Sequence, residues 1–399
     1  SQLFLSALVS KSSLPCPFIF LKITMKKIFV ASFIGLLGLS ANGQYQFEEK
    51  TNLEATSVIS QGRTGTCWSF STTSFLESEI LRIDKKEIDI SEMYNVRFTY
   101  LAKAQNYLMR QGKAQFSQGS LSHDVMTAIK KYGVVPEAAF NGLNNGDTKY
   151  NHSELVAVLK SMLDAMRKSS KGKLSNHWKP AIEAVLDVYL GKVPEKFEYE
   201  GKTYTAQSFA KKAVGINPSD YIELSSYTHH DFYQPFVLEV PDNFSNGLYY
   251  NVPMADMERI TDNAVNLGYT VAWDCDVSEK GFSAKNGVAV LPAKSWKDMD
   301  KKEAATVFKA PVEEQKVTQE MRQITFDDQS TTDDHLMHIT GIAKDKKGNS
   351  YYQVKNSWGE VSEFKGYLYA SKAYFQLKTV AVMVHKDAIP ADIKKKLGM

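Results

Sequence analysis

Apolar positions recur at helical spacing through the first half of the chain and alternate with polar ones through the second. Residues 67–82 (CWSFSTTSFLESEILR) hold no Gly or Pro and predict a helix. In residues 121–132, Leu121, Val125, Ala128, Ile129 and Tyr132 share one face, and Gly133 follows as a stop. From 153, Leu155, Val158, Leu159, Met162, Leu163 and Met166 form a stripe, as do Ile182, Val185, Leu186, Tyr189 and Leu190 further on. Such Met and Leu stripes read as core. After about residue 235 the texture becomes strand-like. HITGIA (338–343), the turn KDKKGN and SYYQVKNSW (350–358) predict a β-hairpin; GYLYAS (366–371) and TVAVMVH (379–385) predict further strands. Helix-rich first and strand-rich last argues an α+β protein. The expected division is a helical lobe over 44–140, a helical insertion over 141–235, and a strand-rich lobe with a C-terminal tail over 236–399.

Composition changes the picture mainly at the N-terminus. The 399 residues are 43% hydrophobic and 23% charged, enough for one large core or two smaller ones. Residues 25–43 run from Lys26-Lys27 through an apolar stretch to Ala41-Asn42-Gly43, the pattern of a cleaved secretory signal. The apolar stretch is short for a membrane span. Residues 1–24 precede Met25 and are expected to be extraneous. The expected location is outside the cytoplasm, secreted or periplasmic, with no stable membrane association. Removal of 1–43 takes Lys11, Lys22, Lys26 and Lys27, four of 48 basic residues, leaving 44 against 45 acidic. That balance gives no reason to expect a nucleic-acid partner. Cys67 and Cys275 remain after cleavage, too few for a disulfide framework.

Cys67 opens a predicted helix, where the helix field favours a thiolate and the backbone N–H can face an oxyanion. A nucleophilic thiol also needs a base, a group that holds the base, and a second oxyanion donor. Gln61, six residues earlier in a Gly-containing loop, can supply that donor. His338 opens the alternating strand, and Asn356 lies across the predicted hairpin. Trp358 can cover an imidazole–carboxamide contact from water. His335, after Asp333 and Asp334, is the competing base and reads as a loop residue.

Gln61, Gly65-Thr66-Cys67-Trp68-Ser69-Phe70, His338 and Asn356-Ser357-Trp358-Gly359 together resemble the papain-like cysteine peptidases. The separation from 67 to 338, 271 residues, exceeds the ~130–150 of papain and the cathepsins. Thr64 stands where those enzymes carry a Cys, and only residues 44–66 precede Cys67 in the expected mature chain. These departures resemble the bleomycin hydrolase and aminopeptidase C branch, as do KKYGVVPE (130–137), YYNVPMADM (249–257), TVAWDCDVS (270–278) and, more faintly, residues 91–107.

The resemblance implies a two-lobed papain-like fold, helical lobe plus β-barrel-like lobe. It implies Cys67 as nucleophile, His338 as acid/base, Asn356 as orienter and Gln61 at the oxyanion hole. Gly119 and Trp68 are the implied substrate-binding residues, with Gln118 replacing one Gly of the usual pair, and Trp358 is the support. Peptides are the implied substrates, without cofactor, and a hexamer is the implied assembly. In that branch the chain end lies in the cleft, so Lys394–Met399 are expected to close it and to meet the substrate amine. The expected function is an exported cysteine aminopeptidase. An open-cleft endopeptidase and a catalytically silent binding protein on the same fold are the alternatives. Asp333-Asp334-His335 and His229-His230 lack a third and fourth ligand at known spacing, so no metal is expected. Cys275 reads as a core thiol.

Overall fold

The computed structural model describes residues 45–171 and 173–399. The expected signal at 25–43 lies outside them. Strand β1 (Phe47–Asn52) is followed by five helices: α1 (Cys67–Asp84), α2 (Glu92–Met109), α3 (Ser122–Tyr132), α4 (Ser153–Ser169) and α5 (Trp178–Leu190). The predicted stripes do what their spacing implies. Leu155, Leu159 and Leu163 of α4 and Ile182, Leu186 and Leu190 of α5 are the buried positions of their helices.

Helix α1 is different, because it is buried from Cys67 through Leu81 although half of that run is polar. Its hydroxyls make this possible. Ser69 donates to the Glu92 carbonyl, Ser71 to the Met337 carbonyl, Thr72 to Ser122 and Ser78 to the Glu54 carbonyl. A buried hydroxyl left unpaired costs about 1–3 kcal/mol, so these bonds permit a polar helix inside the molecule. α1 thereby packs at once against α2, α3 and the sheet, and its first residue emerges where they meet.

The small ribbon β2 (Phe197–Tyr199) and β3 (Lys202–Tyr204) and the short α6 (Ala206–Phe209) precede β4 (Tyr221–Ser225), β5 (Pro235–Val237) and β6 (Leu248–Asn251). The second half adds α7 (Met254–Asn266), β7 (Val271–Cys275), β8 (Phe282–Ser283), β9 (Val288–Ala289), α8 (Lys301–Thr306) and α9 (Gln319–Asp327). It ends with β10 (His335–Asp345), β11 (Ser350–Lys355), β12 (Tyr367–Ser371), α10 (Lys372–Lys378), β13 (Thr379–His385) and α11 (Ala391–Leu397). One sheet runs β5-β6-β4-β13-β7-β10-β11-β12-β9-β8, with β1 also on β10. The predicted hairpin is β10–β11. The 141–235 segment is not wholly helical: β4 leaves it and pairs with β13 in the main sheet.

The chain end is not at the cleft described below. Ile393 and Leu397 of α11 sink into the core beside Met257, Ile260 and Val384, and Asp392 pairs with Arg259. The expectation that Lys394–Met399 close the cleft is corrected. α11 is amphipathic, and its apolar side already has a partner in α7 and the sheet. Among the described residues no helix is long and apolar enough to cross a membrane.

Candidate active site

A cleft of about 670 Å³ opens where α1 starts and β10 starts. Cys67, Gln61, Gly65 and Gly119 line one side; His335, Leu336 and Trp358 line the other. The Gln61–Gly65 loop is held from below. Arg63 N–H donates to the Tyr150 carbonyl, and Gly62 (φ 64°) lies so close that a Cβ would sit 2.6 Å from that oxygen. Only glycine fits there. Gln61 is fixed by the strand across the cleft: Ser357 Oγ donates to its Oε1 (2.6 Å), and its own N–H donates to the Ser357 carbonyl (2.9 Å). One N–H of its Nε2 goes to the Thr64 carbonyl (2.7 Å), leaving the second to meet an oxyanion.

The ring beside Asn356 is His335, not His338. His335 Nε2 pairs with Asn356 Oδ1 at 2.8 Å, and the Trp358 ring covers it with centroids 4.5 Å apart. As Asn356 Oδ1 can only accept, Nε2 carries the hydrogen and Nδ1 keeps the lone pair. His338 points the other way. Its Nδ1 pairs with Ser74 Oγ (2.9 Å), which also accepts from Lys355 Nζ (2.8 Å), and it is fully buried under α1. Burial first, and the Lys355 charge second, hold its pKa well below the ordinary value. The correction follows from the strand beginning three residues earlier than its alternation announced. The β10–β11 register sets His338 against Lys355. Carried back three places, it sets His335 against Trp358, where the ring is found.

Trp68 is among the residues lining the cleft; its indole is buried and donates to the Gln118 carbonyl (3.0 Å), so it braces the wall it helps to form. Gln118 Oε1 accepts from Gly65 N–H (2.7 Å), tying the Cys67 loop to the Gly119 loop. Sequence reasoning saw Gln118 only as a missing glycine. Gly119 lies on the cleft as expected. Cys67 and Cys275 are both free and buried, and Cys275 sits in β7 within the core.

Burial pushes the Cys67 thiol up to about 12, opposed by a backbone N–H bond from Leu336; Asp333, Asp274 and Asp242 add to the rise. Burial likewise holds His335 down at about 4, against Asn356 and Asp334. Neither group ionises alone. A proton passed from Sγ to the ring charges both together, and their attraction offsets the desolvation of each.

Sequence reasoning also missed the acidic lining, Asp242, Asp333 and Asp334. Asp242 comes from a turn 175 positions beyond Cys67 (67 to 242), and no local pattern marks it as a cleft residue. Away from the cleft, His229 and His230 gain a third group in Glu239. Its oxygens lie 3.1 and 2.6 Å from their Nε2 atoms, and the three ligand atoms lie within 4.8 Å of one another. The expected lack of a third ligand is thus corrected, although a closed tetrahedral site would need a fourth.

The Peptidase C1-like family matches residues 36–399. Aminopeptidase G of Lactobacillus delbrueckii subsp. lactis is 24% identical over 387 residues, covering 87% of this chain and 85% of its own. Aminopeptidase E of Lactobacillus helveticus is 25% identical over 407 residues (91% and 89%), and aminopeptidase C of Listeria innocua is 24% identical over 376 residues (84% and 81%). The crystal structure of pepw from Lactobacillus rhamnosis hn001 superposes with a TM-score of 0.69 at 21% identity, covering 88% of this chain and 84% of that one. That likeness bears on the fold.

Proposed function

The chain belongs to the Peptidase C1-like family, with the papain-like α+β fold of cysteine-type peptidases, and from this we propose that it is an exported thiol aminopeptidase acting through Cys67, His335 and Asn356. The observation that carries the residue assignment is the His335–Asn356 bond at the mouth of the cleft that holds Cys67.

In the proposed reaction Cys67 Sγ attacks the scissile carbonyl carbon as its proton passes to His335 Nδ1. The oxyanion meets the Cys67 backbone N–H and Gln61 Nε2–H. His335 then gives its proton to the leaving amine, and a thioester remains. Water, deprotonated by the same ring, hydrolyses the thioester and restores the thiol. Asn356 fixes the ring so that Nδ1 remains the working nitrogen, and Trp358 keeps water off that bond.

The names of the relatives support cleavage from a free N-terminus, and peptides are the proposed substrates. Export rests on the Met25–Gly43 pattern. An epoxide inhibitor of cysteine peptidases should label Cys67 and leave Cys275 untouched, and the labelled protein should release no amino acid from a free peptide. Label on Cys275, or cleavage that survives labelling of Cys67, would contradict the assignment.

A further inference from the structure

The cleft is acidic at one end. Asp242, Asp333 and Asp334 line it, against a single lining cation, Arg63, on the exposed Gln61–Gly65 lip. Asp334 is already occupied: it accepts from the N–H groups of Val277 and Ser278 and from Thr332 Oγ1. Asp333 is not, since its buried Oδ2 has no hydrogen-bond partner. Behind it Asp274, 4% exposed, turns its carboxyl to Asp333, and the two carboxyls hydrogen-bond to each other through a shared proton. The Asp333 Oδ2, short of a donor beside a substrate cleft, is an oxygen that a cationic group would satisfy.

Asp242 is placed to receive that cation first. Its Oδ2 lies directly on Gly119: a Cβ on that glycine would be 1.8 Å from it. It therefore caps the Gly119 wall of the cleft. The turn that presents it is rigid. Asn243 donates to the carbonyls of Leu238 and Gly247 and accepts from Gly247 N–H. Ser245 donates to Asp124 at the start of α3. Gln115 Nε2 and Ser117 Oγ donate to Asp242 Oδ1, at 2.7 and 3.4 Å. Lys103, buried beneath the Gly119 carbonyl, partly balances the charge.

We propose that Asp242, held over Gly119 by the Val240–Gly247 turn and backed by Asp333, anchors the free α-ammonium group of the substrate. This rests on the thiol aminopeptidase reading and supplies the register that reading needs. An ammonium fixed at Asp242 ends the substrate at Gly119, so the bond over Cys67 is counted from the free end. With Lys394–Met399 held by α7, side chains provide the carboxylates described in the cleft.

The test compares the protein with Asp242→Asn on short coumarin-amide peptides, each with a free and an N-acetylated amine. Epoxide titration of Cys67 is the control for an intact site. The unaltered protein should prefer the free amine. In the variant the free-amine KM should rise about tenfold or more with little change in kcat, collapsing the preference while titration stays complete. An unchanged preference with complete titration overturns the anchor and leaves the thiol reading standing. Absent titration and absent cleavage in the unaltered protein overturn both. An N-acetyl-lysyl substrate that loses as much as the free-amine one means that Asp242 takes a side-chain ammonium, which also overturns the proposal. One measurement needs no variant: a free-amine dipeptide amide should protect Cys67 from alkylation, and its acetylated form should not. Equal protection overturns the anchor.

Discussion

In β10 the ring of His335 ends the strand at the cleft, and the ring of His338 turns inward beneath α1 to Ser74 and Lys355. The two substitutions should therefore fail in different ways. His335→Ala should lower kcat/KM by about 10²–10⁴ while the unfolding temperature barely moves, because it removes the proposed proton carrier from a cleft edge. His338→Ala should do the reverse. It leaves buried Ser74 short of a partner and opens a hole, costing about 1–3 kcal/mol of stability with kcat largely kept. Steady-state kinetics beside thermal unfolding separate the pair, and an inactive, fully stable His338→Ala protein would reverse the assignment. Asn356→Ala should cost less kcat than His335→Ala, since the amide only holds the ring.

Much of this site was legible residue by residue. Cys67, Gln61, Gly119 and Trp358 line the cleft, and Asn356 lies buried behind it, bonded to His335. The choice between two histidines three positions apart was not legible. It depended on where a strand starts, and the acidic pair Asp333-Asp334 looks like loop. That pair is indeed irregular backbone, and Asp334, just before β10, accepts from the Val277 and Ser278 N–H groups past the end of β7.

Among the elements, the strongly periodic ones were readable and those defined by distant partners were not. α4 and α5 carry their own apolar stripe. β4, only five residues long, becomes a strand because β13 and β6 flank it. α11 was misplaced for a related reason: its charge run is visible, but the groove for Ile393 and Leu397 is built by α7 and the sheet. Deletion of Lys394–Met399 should then remove the buried Leu397 and cost about 1.5–3 kcal/mol. It should leave the preference for free over acetylated amines unchanged, as read by the same pair of peptides. A rise in cleavage of acetylated peptides after truncation would return the tail to the cleft. The Gly119 loop and the Asp242 turn form a second coupled pair of elements. Gly119→Ala should cost about 1–3 kcal/mol through the clash with Asp242 Oδ2, and Asp242→Gly in the same chain should recover much of it. Additive losses in a double-mutant cycle would deny that contact.

At the scale of the whole molecule, buried titratable groups set how stability answers pH. Burial raises Glu77, Glu137, Glu314 and Asp333 to about 7. Burial opposes the charge of His123, but Glu223 and Asp124 beside it prevail and lift it to about 9. In all five the folded pKa lies above the unfolded one, so the folded state binds more protons and their contribution is lost as pH rises through the folded value. His152 and His335, held at about 4 by burial, act in the opposite sense. His338, also held low, joins them. These three oppose the carboxyls below the ordinary histidine range, where the unfolded chain would protonate them. Above about pH 6.5 they are neutral in both states and drop out, leaving the carboxyls and His123. Stability should therefore fall from about pH 6.5 to about 9, by about 1.4 kcal/mol per pH unit for each extra proton the folded state still holds. Urea midpoints at three pH values across that window check the sign. A flat or rising series would mean that the carboxyls around α1 and the cleft are ionised in the fold, paired with cations such as Lys355 and Lys103. The acidic end of the cleft would then carry full charge before any substrate arrives.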